Sequence, residues 1–481
     1  MKQRQNYEWD EIGLRYNEER REQWDAIAKS ELFSLGTYYH SRLEMIFKFL
    51  ISPNQRVLEL GCGKGDLLAA VRPTHGVGVD FSPCMIEKAR ERHPEMDFIT
   101  ADVHNVRIND KFDAVILSDL INDIWDVQGL FRNLRHMCSD DTRIVINTYS
   151  RLWQPILNVI RGLRLATQLK RQNWLTPADI TNLLGLEGFE IIRGFSDIFL
   201  PANFPGLKVL ANRYLSKLIP FRFFNLTNFL VARKSAEHNS LESAKISVVI
   251  PARNEEGNIS EIFRRIPEMG SGTEMIFVEG GSSDDTYGAV QREMANNPQK
   301  KVKLLHQTGK GKGDAVRLGF SQASGDVLMI LDADMTVPPE QLPRFHEALY
   351  RGKGEFINGV RLVYPMEERA MRLFNLVGNK FFSLAFSWLL GQHIKDTLCG
   401  TKVLTRSNYD KIAANRNYFG EFDPFGDFDL IFGAAKQNLK IVDLPIRYRE
   451  RKFGNTSISR WRHGMILLRM VIFAAWRIKF I

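Results

Sequence analysis

The chain has 481 residues, 44% apolar and 25% charged, with a formal net charge of +9; this is more chain than one hydrophobic core usually holds and excludes a disordered or fibrous protein. Its four cysteines, Cys62, Cys84, Cys138 and Cys399, lie far apart with no C-x-x-C spacing, which excludes a disulfide scaffold or zinc ribbon and fits a reducing cytoplasm. The opening "MKQRQNYEWDEIG" has no apolar signal region, and "FFSLAFSWLLG" (381–391) and "MVIFAAW" (470–476) are shorter than the roughly 20 residues of a spanning helix.

Short apolar strands alternate with turns and amphipathic helices along both halves, the pattern of parallel α/β sheets. In "QRVLELGCGKGDLLAAV" a strand over 56–60 delivers Gly61, Gly63 and Gly65 into a tight turn that opens a helix. Free backbone N–H groups and missing side chains there let a ligand approach. Glu59 stands two residues before the first glycine, and Asp80 closes the next strand in "VGVDFSP". The two acids suit a cationic ligand with an amino group and a ribose diol; a dinucleotide turn prefers G-x-G-x-x-G.

On these residues the segment from about 37 to 233 resembles a class I S-adenosylmethionine-dependent methyltransferase. The resemblance implies a Rossmann-like fold in which Gly61, Gly63 and Gly65 hold the methionine and ribose part, with Glu59 nearby. It further implies that Asp80 binds the ribose hydroxyls, Asp102 in "FITADVHNV" contacts adenine, and Ser118 and Asp119 lie near the cofactor. "TYYHSRL" offers Tyr38, Tyr39 or Arg42 as a lid, and "GFEIIRGFSD" (188–197) is a later strand. His104, His136 and Asp123 are available as bases, none is assigned, and a domain that only binds cofactor or scaffolds stays open.

The polar run 234–245, "KSAEHNSLESAK", is the expected linker between domains at 1–233 and 246–481. Beyond it, "KISVVIPARNEEGNI" is a buried strand that stops at Pro251 and releases "RNEE" into a loop. The next strand, "EMIFVEGGSSDDT", ends in Glu279 and small hydroxyl residues; "GKGKGDAVRLGF", with Lys312 and Asp314, suits an anionic group over a helix start. In "VLMILDADMTVPPE" two aspartates spaced one apart, Asp332 and Asp334, point to one side of an extended backbone and make half of a divalent-cation site.

That order of motifs, from 246 to about 460, resembles the family 2 glycosyltransferases of the GT-A fold. The resemblance implies that Asp332 and Asp334 hold Mg²⁺ or Mn²⁺ against a nucleotide-diphosphate sugar. Pro251, Arg253, Glu255 and Glu279 would then line the nucleotide pocket, although this chain has Glu279-Gly280 where many members have two aspartates. "PIRYRERKFGNTSISRWRHG" resembles the R-x-x-G-x-S segment of dolichyl-phosphate mannose synthases, which points Arg451, and Arg449 beside it, at the departing diphosphate. Asp427 in "EFDPFGDFDLIFGAAK" is the expected base and Asp396 in "KDTLCGTK" its rival; helix capping is the alternative use of Asp429.

From residue 440 onward ten Lys or Arg face only Asp443 and Glu450. A basic, partly apolar end fits peripheral contact with the inner face of a membrane, and no nucleic-acid motif accompanies it. The expectation is a bifunctional enzyme of cell-surface polysaccharide or glycolipid synthesis, with a glycan or polyprenyl-phosphate lipid acceptor. Two alternatives are a polyprenyl-phosphate hexose synthase whose first domain only binds cofactor or scaffolds, and a nucleic-acid-binding protein with vestigial enzyme folds.

Overall fold

The computed structural model describes residues 11–29, 37–163, 169–170, 172–235, 238–361, 363, 373–418, 427–449, 451, 453 and 460–480. The chain forms two compact units that divide after Ser235. In the first, β1 (Arg56–Leu60), β2 (His75–Asp80), β3 (Asp97–Thr100), β4 (Phe112–Ser118), β5 (Cys138–Tyr149), β6 (Phe189–Asp197) and β7 (Thr227–Lys234) make one sheet in the order β3-β2-β1-β4-β5-β7-β6. β7 runs antiparallel to β5 and β6, and the other pairs are parallel. Val57 enters one apolar cluster with Phe47 and Phe229, while Leu58 enters another with Val115 and Phe131. Covered on both faces, the strands read as continuous apolar runs rather than alternating ones.

The second unit repeats the plan with β8 (Ile246–Ala252), β9 (Thr273–Glu279), β10 (Lys301–His306), β11 (Val327–Ile330), β12 (Phe356–Val360), β13 (Lys402–Thr405) and β14 (Ile441–Pro445), ordered β10-β9-β8-β11-β13-β12-β14. β13 is antiparallel to β11 and β12, and the remaining pairs are parallel. In each sheet the chain leaves one side of the first strand and returns on the other, between β1 and β4 and between β8 and β11. Ligands of open α/β sheets bind in the crevice at the carboxyl ends of such strands.

Lys234, expected in the linker, closes β7, and the stretch after it is anchored. The His238 N–H donates to Tyr350 O, His346 Nε2 lies 2.6 Å from Leu241 O, and Ala244 is buried. The helix Glu11–Lys29 lies upstream of the expected core and lacks an apolar stripe. It is fixed instead by the buried Arg20, which pairs with Asp123 at 3.1 Å and stacks on Tyr16 at 3.9 Å. The apolar run at 374–391 belongs to the helix Leu373–Leu390, with Phe386 and Leu390 buried and Leu384 70% exposed. No helix among the described residues is long and apolar enough to cross a membrane.

Arg42, expected as part of a lid, is committed to the core. It and Lys217 both pair with Asp197 at the end of β6, all three buried. Burial opposes ionisation of Asp197, but its two cations outweigh burial and hold the carboxyl below the usual range. Removing one member of a buried ion cluster leaves uncompensated charge, so Asp197→Ala is expected to cost about 3–5 kcal/mol. Urea unfolding of the first unit at neutral pH checks this, and a loss below about 1 kcal/mol would show that the cluster contributes no more than a surface pair.

Candidate functional site

At the carboxyl end of the first sheet, Gly61, Gly63 and Gly65 adopt φ of 73°, 50° and 79°, in the left-handed region. Glu59 Oε2 is buried with no hydrogen-bond partner, and burial pushes its carboxyl well above the usual range. Asp80 Oδ2 accepts from the Gly63 N–H at 3.0 Å and Oδ1 from the Ser82 N–H at 2.9 Å. Burial, against the pull of these N–H groups, pushes Asp80 up to about 6. Asp119, at φ 54° just beyond β4, accepts from Tyr39 Oη at 3.0 Å and Asn147 Nδ2 at 2.7 Å, and burial pushes it up to about 7. Tyr39 therefore braces an acid of the cleft, whereas Tyr38 accepts from Asn212.

Asp102 faces two partners. His104 Nδ1 lies 2.8 Å from Oδ1, and Asn17 Nδ2 donates to Oδ2 at 2.6 Å. The other His104 ring nitrogen lies 2.8 Å from Asp126 O, so both nitrogens are engaged and His104 has no free position to act as a base. Asp123 accepts from Trp24 Nε1 and pairs with Arg20, and His136 is exposed. The helix Glu11–Lys29 also sets Asp25 against Ser82 at 2.5 Å. It thus touches residues beside Asp80, Asp102 and Asp119, a neighbourhood that no motif in its polar sequence announced. The cleft fits a cationic, adenosine-bearing cofactor: it holds an orphaned carboxylate oxygen, and a Cβ on Gly63 would meet nothing within 4 Å.

In the second unit the paired aspartates follow β11 directly, and each holds a cation of the protein. Asp332 Oδ1 pairs with Lys312 Nζ at 2.6 Å; Asp334 Oδ2 accepts from Arg451 Nη2 at 2.5 Å, and its Oδ1 accepts from the Thr336 N–H and hydroxyl. Burial alone would raise the Asp332 carboxyl, but Lys312, Lys402 and Arg361 together hold it below the usual range. Arg451 also lies 4.0 Å from Glu255, whose carboxyl burial pushes up to about 7. Glu255 therefore sits beside the aspartate pair. Gly400 closes in from β13's side, where a Cβ would collide with Asp332 Oδ2 and Lys312 Nζ.

Other expected contacts are braced within the protein. Glu279 accepts from the Ser282 N–H at 2.5 Å and lies 3.1 Å from His306 Nδ1; Asp314 accepts from Gln307 Nε2 at 2.9 Å, which ties down the 307–311 loop. Pro251 is half-buried and Arg253 is exposed at the tip of β8; Arg449 is exposed, with its N–H on Thr336 O. Asp396, the rival base, is buried, and both of its oxygens accept from Arg361, at 2.7 and 2.8 Å. Asp429 pairs with Arg416 at 2.8 Å. Asp427 opens the helix Asp427–Lys436, but its side chain lies outside the described residues, as do Gly454 and Ser457, the glycine and serine of the R-x-x-G-x-S segment. Arg361, which no motif flagged, is the missed residue of this site.

Among the described residues no three His, Cys, Asp or Glu side chains converge as a metal cage. The donor chemistry of Asp332 and Asp334 still fits Mg²⁺ or Mn²⁺, which use one or two carboxylates and take their other ligands from phosphates and water.

Residues 51–178 match the model of a methyltransferase domain, and residues 247–413 match that of glycosyl transferase family 2. The undecaprenyl-phosphate 4-deoxy-4-formamido-L-arabinose transferase of Klebsiella pneumoniae is 28% identical over 222 residues, 45% of this chain and 64% of the relative. A dolichol-phosphate mannosyltransferase of Pyrococcus furiosus is 38% identical over 110 residues, 22% of this chain and 31% of its own. The chain thus spans less than two thirds of the length of these curated relatives. Among solved structures, Mycobacterium tuberculosis glucosyl-3-phosphoglycerate synthase, in complex with Mn²⁺, UDP and phosphoglyceric acid, is 20% identical, covering 51% of this chain and 84% of that one with a TM-score of 0.38. Magnesium protoporphyrin IX methyltransferase from Synechocystis, with bound SAH, is 18% identical, covering 48% and 90% with a TM-score of 0.28.

Asp119 titrates higher folded than unfolded, so its contribution to stability is greatest at low pH and is lost as pH rises from about 4 towards 7. Asp119→Asn removes that loss. Its stability relative to the parent is expected to improve by on the order of 2 kcal/mol between pH 5 and pH 8, read from urea midpoints; a constant difference would contradict the raised value. At the other site Gly400→Ala forces Asp332 and Lys312 to shift and is expected to cost about 1–3 kcal/mol, read from urea midpoints; an unchanged midpoint would show that the two side chains move aside freely.

Proposed function

With a methyltransferase domain and a family 2 glycosyltransferase domain in one chain, we propose a bifunctional transferase that moves a sugar from a nucleoside-diphosphate donor to a polyprenyl-phosphate acceptor and a methyl group from S-adenosylmethionine to the same glycan or its precursor. The observation that carries the first activity is the cluster of Asp332, Asp334, Lys312 and Arg451 at the switch point of the second sheet. In the free protein the two cations neutralise the two acids. Lys312 and Arg451 are placed to turn to a donor's diphosphate, and Asp332 and Asp334 would hold a divalent cation, which would supply further charge neutralisation to the leaving group.

The acceptor oxygen attacks the anomeric carbon, the bond from that carbon to the diphosphate oxygen breaks, and the electron pair leaves with the nucleoside diphosphate. A phosphate oxygen is already anionic and needs no base. That suits a site where Arg361 occupies both oxygens of Asp396. Asp427 is retained as the base for a hydroxyl acceptor. A lipid acceptor also suits the helix Arg460–Ala474 and the turn after it, where Met465, Leu468, Ile472 and Trp476 form an exposed apolar stripe at helical spacing near Arg469 and Lys479. In the first unit, Glu59, Asp80, Asp102 and Asp119 are proposed to surround the cofactor, with the glycine turn against its amino acid part.

Thermal-shift measurements test both sites, because a ligand of the native state raises its melting temperature. S-adenosylhomocysteine is expected to raise the transition of the first unit. One of UDP, GDP, dTDP or CDP is expected to raise that of the second, more with Mn²⁺ than without. Asp332→Asn/Asp334→Asn is expected to remove the Mn²⁺-dependent part alone, and a shift indifferent to both metal and variant would sink the donor assignment.

A further inference from the structure

We infer that the first unit carries a docking surface for an anionic lipid membrane, formed by residues 151–163 and 204–224. These two short segments hold nearly half of the exposed large apolar side chains among the described residues. The helix Gln154–Gly162 and the residue that follows it present Ile156, Val159 and Leu163, 46%, 63% and 65% exposed, at spacings of one helical face. The opposite face carries Leu157, which packs on the core. The second segment exposes Ile219, Phe223 and Phe224 at 65%, 56% and 58%.

The segments are joined: Trp153 Nε1 donates to Phe224 O at 2.8 Å, and the turn is held to the sheet by Ser196 Oγ on Arg222 O at 2.9 Å. A monomeric protein rarely exposes a contiguous apolar patch beyond a few hundred Å² without a partner for it.

Charge identifies the occupant. The sequence has no Asp or Glu over residues 142–178 or 198–236, while Arg151 and Arg222 are exposed and Lys208 partly so. Segments of Phe, Leu and Ile with Arg and Lys and no Asp or Glu of their own match the interface of an anionic bilayer, where rings and aliphatic chains enter the headgroup boundary and cations meet phosphates. A second copy of the chain fits less well, since a two-fold contact would set the same cations against each other. The inference rests on the first unit alone and does not require the sugar-transfer reading.

Flotation of the full chain with vesicles tests it. The protein is expected to float with phosphatidylcholine–phosphatidylglycerol vesicles, weakly with phosphatidylcholine alone, and less at about 0.5 M salt. Phe223→Ser/Phe224→Ser, and independently Val159→Ser/Leu163→Ser, are expected to weaken vesicle binding at least ten-fold with unchanged urea transitions. Vesicle binding by both variants equal to that of the parent would assign it to another surface and overturn the inference. So would a parent that does not float, or one whose sedimentation shows self-association that these substitutions abolish in place of vesicle binding.

Discussion

Carboxylates gathered at the carboxyl end of a parallel sheet, half out of water, are stable only if each charge meets a proton, a backbone N–H or a cation. The rest of this protein's site architecture follows from how that demand is met. In the first unit it is met by protons and neutral donors: Glu59 and Asp119 are pushed up by burial, and Asp80 leans on the N–H groups of Gly63 and Ser82. In the second it is met by cations, with Lys312 on Asp332, Arg451 on Asp334 and Arg361 on Asp396. The difference matches the proposed donors. A sulfonium brings positive charge to acids that lack it, whereas a nucleoside diphosphate brings negative charge to cations already in place.

The same demand explains which acids are available for chemistry. Asp396 and Asp429 each pair with an arginine, so these side chains hold shape. Asp332 and Asp334 are also paired, but their partners Lys312 and Arg451 have side chains 27% and 28% exposed, within reach of a ligand in the cleft.

The strands and both switch points were legible because a strand buried on two faces writes an unbroken apolar run, and because a glycine turn or an aspartate pair placed after such a run lies at the sheet's ligand-bearing edge. Side-chain pairing was not legible, since it links residues far apart in sequence. Asp396 and Arg361 are 35 residues apart and Arg42 and Asp197 are 155 apart, so a motif reading gave Asp396 a base's role and Arg42 a lid's. The helix Glu11–Lys29 escaped notice for a related reason: its attachment is polar, through Asn17, Arg20, Trp24 and Asp25, and leaves no periodic apolar signal.

Lys312 and Arg451 are proposed to hold the aspartate pair until a nucleoside diphosphate draws them away. A titration of Mn²⁺ into the protein, with free Mn²⁺ followed by its electron paramagnetic resonance signal, tests it most directly when run with and without the diphosphate that the protein binds. Mn²⁺ is expected to bind weakly to the protein alone and tightly, with fixed stoichiometry, once the nucleotide is present. Tight binding to the free protein, unaltered by nucleotide, would contradict it.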